Sequence, residues 1–183
     1  MRIITGSARG RRLITPDGMD VRPTPEKIKE ALFSALQFDI EGRRILDLFA
    51  GSGQLGIEAL SRGAKSATFV DSSPVSIKAI EHNLKVSGLN TYAQVKRTDY
   101  ASFCAASKDT FDIAFLDPPY HEGILLPAIE AILPLMSEFS TIVCEHPTDV
   151  EIPEEIGGFK INRNYRYGKI AVTVYKNNKA VTK

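Results

Sequence analysis

Two complete strand–turn–helix units stand end to end over residues 43–88. "RRILDLF" leads through the glycine turn "AGSG" to "GQLGIEALSRG", and "SATFVD" leads to "PVSIKAIEHNLKVSG". A strand that reaches the next strand through a helix crosses over right-handed and lies parallel to it, so such units build a parallel sheet covered by helices on both faces. Pro74 at the first position of the second helix and Gly88 just past its end are the punctuation that a helix of this length uses. The rhythm continues: "AQVKR" reads as a weaker strand, "YASFCAAS" as a short helix, "FDIAFLD" as a strand, "GILLPAIEAILPLM" as a helix broken or kinked near Pro127 and Pro134, and "STIVCEH" as a strand. Then the pattern changes. "FKINRNYR" and "KIAVTVYK" are separated only by "YG", which predicts a terminal antiparallel hairpin and therefore a mixed sheet.

Ahead of this repeat, "RIITGSARGRRLITP" has β-branched runs on both sides of "GSARG" and reads as a short hairpin or arm, closed by the turn "TPDG". "RPTPEKIKEALFSAL" follows as an amphipathic helix, with Thr24 as N-cap, Pro25 at its first position, and Ile28, Ala31, Leu32, Ala35 and Leu36 on one face. The expected organisation is a basic arm over residues 1–21, one α/β domain over 22–176 and a frayed tail over 177–183. A chain of 183 residues suits one such domain. Its 43% hydrophobic and 25% charged residues, with no apolar run near the roughly 20 that a spanning helix needs and no leader-like start, predict a soluble, cytoplasmic, monomeric protein without a membrane partner. Cys104 and Cys144 lack metal-ligand spacing, so a metal site and a disulfide framework are not expected. The net charge of +1 conceals an asymmetry: Arg2, Arg9, Arg11 and Arg12 fall in the first fifteen residues with no acid among them, and Lys160, Arg163, Arg166 and Lys169 form a looser second group. Patches of this kind suit a polyanionic partner.

The glycine turn limits what the domain can hold. Ligands of doubly wound sheets bind outside the carboxyl ends of the strands, where strand order reverses, and "DLFAGSGQLG" ends a strand. Its GSGQLG, with Asp71 about 20 residues on, fits a dinucleotide fingerprint. Gly51 and Gly53 let the backbone approach a ligand, and Asp71, with Ser72 beside it, is placed to hold ribose hydroxyls; NAD and S-adenosyl-L-methionine suit these features equally. Asp47 separates them. A carboxylate within about 4–6 Å of a pyrophosphate repels it, whereas S-adenosyl-L-methionine brings an ammonium and a sulfonium that a carboxylate attracts. Capping the turn is the competing role for Asp47, and plain turn geometry that for the glycines. Asp99 can accept from the adenine amine with Tyr100 packed near the ring, or can serve as a helix N-cap.

"DPPY", Asp117 to Tyr120, ends the fourth strand. Two prolines donate no backbone hydrogen bond, which leaves rigidly aimed carbonyls without a competing amide. The Asp117 carboxylate and the Pro118 carbonyl can both receive hydrogens from one planar amine while Tyr120 stacks on its ring, an arrangement that orients the nitrogen lone pair toward a methyl donor without a metal.

Taken together, "DLFAGSG", the acid of "FVD" and "DPPY" resemble the S-adenosyl-L-methionine-dependent amino-methyltransferases of Rossmann-like fold. The arm "RIITGSARGRRL" joined to "RPTPEKIKEALFSAL" is similar to one branch of them, the bacterial enzymes that methylate the N2 of a guanine in small-subunit ribosomal RNA. The likeness covers nearly the whole chain, and the arm with "RPTP" is its more specific part, since adenine-N6 methyltransferases of DNA share "DPPY". It implies a seven-stranded sheet with one antiparallel strand; cofactor binding by Asp47, Gly51, Gly53, Asp71 and Asp99; target-amine binding by Asp117, Pro118 and Tyr120; and a grip on RNA phosphates by Arg9, Arg11, Arg12 and Arg22, with the target base turned out of its stack. The substrate is then ribosomal RNA, naked or within an assembled particle. Two positions depart from the family: Gln54 stands where a small residue is common, and Asp71 where a Glu is frequent. The alternatives are an adenine-N6 methyltransferase of DNA or RNA, though the chain leaves no obvious room for a sequence-reading domain; an NAD-dependent oxidoreductase, motivated by GSGQLG; and a basic RNA-binding module with a vestigial site, which intact Asp47 and Asp117 oppose. His82 reads as a surface residue, His121 follows "DPPY" without a required role, and Glu145 and His146 read as pocket rim.

Overall fold

The computed structural model describes residues 1–16, 26–119 and 123–177, apart from the side chain of Lys27. In chain order it contains α1 (Glu26–Ala35), β1 (Arg44–Leu48), α2 (Gln54–Ser61), β2 (Ser66–Asp71), α3 (Pro74–Ser87), β3 (Ala93–Arg97), α4 (Tyr100–Ala106), β4 (Phe111–Leu116), α5 (Leu125–Ile132), β5 (Met136–Pro147), β6 (Glu155–Ile156), β7 (Phe159–Tyr167) and β8 (Ile170–Asn177). All strands belong to one sheet, ordered β3-β2-β1-β4-β5-β8-β7-β6. β1 to β5 are parallel to one another, and β8 runs antiparallel between β5 and β7. The order reverses between β1 and β4, which fixes the ligand crevice at the carboxyl ends of those two strands.

The sheet has eight strands rather than the seven expected. The addition is β6, two residues long, which pairs with the start of β7 through Gly157 and Gly158 at φ 55 and 86. Positive φ at both central residues matches the right-handed twist of a two-residue hairpin, and "EIGG" was the signal for it. The terminal hairpin is as expected, but it turns on Gly168–Lys169 rather than on "YG". Pro127 does not break α5: it is the third helical residue, where the missing N–H has no intrahelical acceptor to satisfy. Pro134 falls in a 3₁₀ turn, Leu133–Leu135, and β5 begins at Met136, earlier than its hydrophobic run suggests.

Alternation along the strands divides the core into two layers. Ile45, Phe69, Ile113, Phe115 and Val143 pack with α1, α2 and α3 on one face, while Leu46, Leu48, Leu116, Ile142 and Cys144 pack with α4 and α5 on the other. The predicted face is buried at Ile28 and Leu32 of α1 and at Leu36 just past its end; Ala31 and Ala35 are only half-buried, and Thr24 and Pro25 lie outside the described residues. Cys144 is buried, Cys104 half-buried, both are free, and His82 is exposed. Among the described residues, no helix is long and apolar enough to cross a membrane.

The arm forms one antiparallel bridge, Arg2 to Arg12, and buries Ile3, Ala8 and Leu13 against the first layer. Polar side chains fasten it. Glu58 of α2, fully buried, accepts the Ile4 and Thr5 N–H groups at 2.8 and 3.1 Å and pairs with Lys29 and Arg62. Lys29, only 1% exposed, donates to the Arg2 carbonyl at 2.8 Å; burial pulls its pKa down, and the Glu58 charge opposes that. Asn83 of α3 exchanges two hydrogen bonds with the backbone of Ile14 and donates a third to the Ser52 carbonyl in the glycine turn. Through Asn83, Ile14 of the arm is thereby linked to the loop that faces the crevice.

Candidate active site

β1 delivers Asp47 to the crevice with 3% of its surface exposed. Its Oδ2 accepts the Gly56 N–H at 2.8 Å, inside the first turn of α2, whose N-cap Gly53 (φ 75) has no side chain to perform that duty. Asp47 thus ties the glycine turn to the strand as a displaced cap. Burial drives its pKa up to about 7; the Gly56 N–H acts against this shift and the Asp71 charge adds to it. Asp71 at the end of β2 is engaged on both oxygens, accepting Gly51 N–H and Ser73 N–H at 2.8 Å each, so it shapes the glycine turn as well as facing the crevice. Each oxygen keeps a lone pair for a hydroxyl. Ser72 is exposed between them.

Gly56 admits no side chain. A Cβ there would stand 2.4 Å from the Phe69 ring and 3.0 Å from Asp47 Oδ2. Alanine gains about 1 kcal/mol in helix propensity over glycine, and overpacking costs about 1–3 kcal/mol. The clash involves a ring fully buried in the core, so overpacking wins: Gly56→Ala should lower the thermal midpoint by several degrees, and adding Phe69→Leu should recover part of the loss in the same melt.

Asp99 follows β3, two strands from β1. It is the N-cap of α4, accepting the Ser102 N–H at 2.9 Å, and hydrogen bonds from Ser102 hold its carboxyl below the usual range. Tyr100, the first residue of α4, packs its ring 5.4 Å from that of Phe49. Phe49 sits between β1 and the glycine turn at φ 66, a left-handed conformation that an aromatic residue adopts only where its surroundings enforce it. Sequence reasoning missed Phe49; its backbone leaves no trace in residue type.

β4 ends at Leu116, and Asp117 and Pro118 follow into the crevice. Asp117 is half-buried, Pro118 buried and Pro119 exposed, while Tyr120 and His121 lie outside the described residues. Asp117 has its pKa pushed well above the ordinary carboxylate value, first by burial, then by the charges of Glu145 and Asp47. Glu145, read from sequence as rim, is only 5% exposed. His146 is equally buried, its ring nitrogens 2.9 Å from the Pro147 carbonyl and 3.0 Å from Thr173 Oγ1, which makes it a tie between β5 and β8. Pro118, Pro119, Glu145 and His146 border a small, partly open pocket.

The structure thus brings Asp47, Asp117 and Glu145 to one end of three neighbouring strands, on the face shared by α1 and α2. Gln54, the first residue of α2, adds a buried side-chain oxygen, Oε1, with no hydrogen-bond partner among the described residues. The row is acidic and partly desolvated, and it suits a ligand that brings cationic or amine hydrogens. Arg9, Arg11 and Arg12 are exposed on the arm, and Arg22 lies outside the described residues.

The chain is 43% identical to YlbH of Bacillus subtilis (strain 168), provisionally named an rRNA methyltransferase, over 96% of this chain and 98% of that one. It is 32% identical to ribosomal RNA small subunit methyltransferase D of Escherichia coli (strain K12), over 96% and 89%. The solved structure of the Escherichia coli yhhF protein superposes with a TM-score of 0.85 at 31% identity, over 97% of each chain. The family model described as conserved hypothetical protein 95 matches residues 1–176, and the chain belongs to that family.

Proposed function

We propose that the chain is an S-adenosyl-L-methionine-dependent methyltransferase of ribosomal RNA, and that its acceptor is the exocyclic N2 of a guanine in the small-subunit RNA. The observation that carries this reading is the pairing, on adjacent strands β1 and β4, of an acid beside a glycine turn with an acid beside two prolines. The fit to the cofactor rests on the partnerless Gln54 Oε1 and on the buried Asp47 carboxyl. Both are acceptors that a cationic amino acid satisfies, and neither welcomes a pyrophosphate. S-adenosyl-L-methionine supplies a methyl group on a sulfonium, an electrophilic carbon.

The chain's residues do the rest. Asp47 and Gln54 receive the ammonium, the Gly51–Gly53 backbone admits the ligand closely, Asp71 takes ribose hydroxyls, and Phe49 with Tyr100 borders the adenine side. Asp117 and the Pro118 carbonyl hold the two hydrogens of the target amine, turning its lone pair toward the methyl carbon. As the nitrogen forms its new bond it acquires a positive charge. Asp117, with its raised pKa, can stabilise that charge and accept the surplus proton before it reaches water. The rings of Pro118 and Pro119 lock their own φ, and no proline amide competes for the acceptors.

RNA affinity comes from the arm. Arg9, Arg11 and Arg12 are exposed and take part in no ion pair among the described residues, and the arm that bears them is fastened to the glycine turn through Asn83. Arg11→Glu should raise the KM for RNA several-fold at 0.1 M salt and leave kcat unchanged, with the gap closing as salt rises; steady-state kinetics over a salt series checks it. The function itself is tested by incubating the protein with methyl-labelled cofactor and unmodified small-subunit RNA or particles, then digesting to nucleosides. Label in N2-methylguanosine is expected. Label in N6-methyladenine alone would replace guanine with the adenine-N6 reading that "DPPY" also permits.

A further inference from the structure

We propose that Glu145 reads the N1–H of the target guanine, and so makes the pocket choose guanine over bases whose ring nitrogen at that place is an acceptor. The assignment rests on the methyl-transfer reading above and adds a specificity-determining residue to it.

The register of the sheet carries the argument. Leu116 of β4 pairs with Cys144 of β5 in parallel, so the next residues, Asp117 and Glu145, come side by side at the carboxyl ends of strands about 4.8 Å apart. Leu116 and Cys144 both bury toward α4 and α5. The period of two then sends Asp117 and Glu145 together to the opposite face. That they feel one another is consistent with the Glu145 charge being the second cause, after burial, of the upward shift at Asp117. Glu145 and Pro118 also border one pocket, so the second carboxylate lies close to the carbonyl that shares the amine with Asp117.

Guanine presents two donors in a row along its Watson–Crick edge, the N2 amine and N1–H. Adenine presents an amine beside an acceptor. A pocket with one carboxylate for the amine and a second for its neighbour is matched to the first edge, and it sets a carboxylate against a lone pair in the second. Because Glu145 is 5% exposed, water is poorly placed to relieve that mismatch, and an acceptor facing an acceptor in a desolvated site is discriminated against strongly. A single well-placed base contact separates bases by about 1–3 kcal/mol, or about fivefold to more than a hundredfold.

The test uses the full-length protein and small-subunit RNA carrying, at the guanine mapped by the labelling experiment, either guanosine or 2-aminopurine riboside. The analogue keeps the amine but has an acceptor at N1. Wild type should favour guanosine in kcat/KM by about a hundredfold. Glu145→Gln, whose amide can donate to that acceptor, should shrink the ratio by about tenfold or more, and its affinity for S-adenosylhomocysteine by titration calorimetry should equal wild type. Comparing the ratio between the two enzymes cancels the effect of the missing O6. A wild-type ratio near one, a ratio unchanged in Glu145→Gln, or a loss of S-adenosylhomocysteine affinity as large as the loss of activity would overturn the assignment. If Glu145→Gln does not fold, Glu145→Asp serves: it should lose activity on guanosine without gaining on 2-aminopurine, and equal losses on both substrates refute the idea. A wild-type enzyme that labels no guanine amine at all defeats the proposed function instead, so the two failures are distinct.

Discussion

Asp117→Ala is expected to lower kcat by about a thousandfold, with the affinity for S-adenosylhomocysteine staying within about threefold of wild type. The first figure follows from the role: an acceptor that acts on the reacting amine is worth about 10²–10³ in rate when removed from a preorganised, desolvated site. The second follows from position. Asp117 directly follows β4 and opens the proline segment, whereas the groups assigned to the cofactor hang from β1, β2 and the glycine turn. Equal loss of both properties would show that the division of roles is wrong. Asp117→Asn makes the test finer, because it retains an oxygen acceptor and discards the charge. The Asp117 carboxyl titrates well above the ordinary carboxylate value, so below that raised pKa it is neutral and holds the amine less well. At saturating cofactor, the wild-type kcat/KM for RNA should therefore climb with pH on a limb displaced toward neutrality. In Asp117→Asn that limb should vanish, leaving a flat, low profile.

The parallel half of this sheet was legible because its strands are apolar runs bounded by glycine turns and capped helices, and those signals are local. Asp47 and Asp117 were legible for a related reason: each directly follows or closes a buried strand, so its place at the crevice follows from strand direction alone. The engagements of these acids were not legible. That Asp71 accepts Gly51 N–H, or that Asp99 spends its carboxylate on Ser102, depends on where backbone amides point after folding. The buried set of Lys29, Glu58 and Arg62 joins two helices to the arm; in the sequence these three read as ordinary charges on helix surfaces. Glu145 looked like rim because a carboxylate at a strand end usually reaches water; it becomes an interior group through its neighbours after folding, β8 beside it in the sheet and Leu32 and Leu55 of the two covering helices. The strand β6 escaped because two residues carry no periodicity.

Asp47→Asn should make the ligand-free protein more stable at pH 8 and the cofactor complex weaker. The folded-state pKa of Asp47 is raised from the ordinary 3.8 to about 7, so the native state holds this proton more tightly than the unfolded state does. Between those two values the unfolded chain has already released the proton, and stability falls as pH rises. Below about pH 4 the group is neutral in both states and contributes no penalty; above about pH 7 the penalty is complete, at most about 4 kcal/mol. Asparagine keeps an oxygen for the Gly56 N–H, now 2.8 Å from Oδ2, and removes the ionisation. Its own buried amide hydrogens offset part of the gain, which leaves about 1–2 kcal/mol, or roughly 2–8 °C in Tm for a chain of this size. The advantage over wild type should shrink toward pH 5. A cationic ligand reverses the preference, because an ammonium beside Asp47 favours the charged form. S-adenosylhomocysteine should therefore bind wild type more tightly as pH rises from 6 to 8 and release a proton on binding, detectable as a buffer-dependent calorimetric enthalpy. Asp47→Asn should bind it at least tenfold more weakly at pH 8 with no such release. If the variant is no more stable than wild type at pH 8 and its affinity is unchanged, Asp47 is a turn cap and nothing more, and the cation's seat must be sought at Gln54 alone.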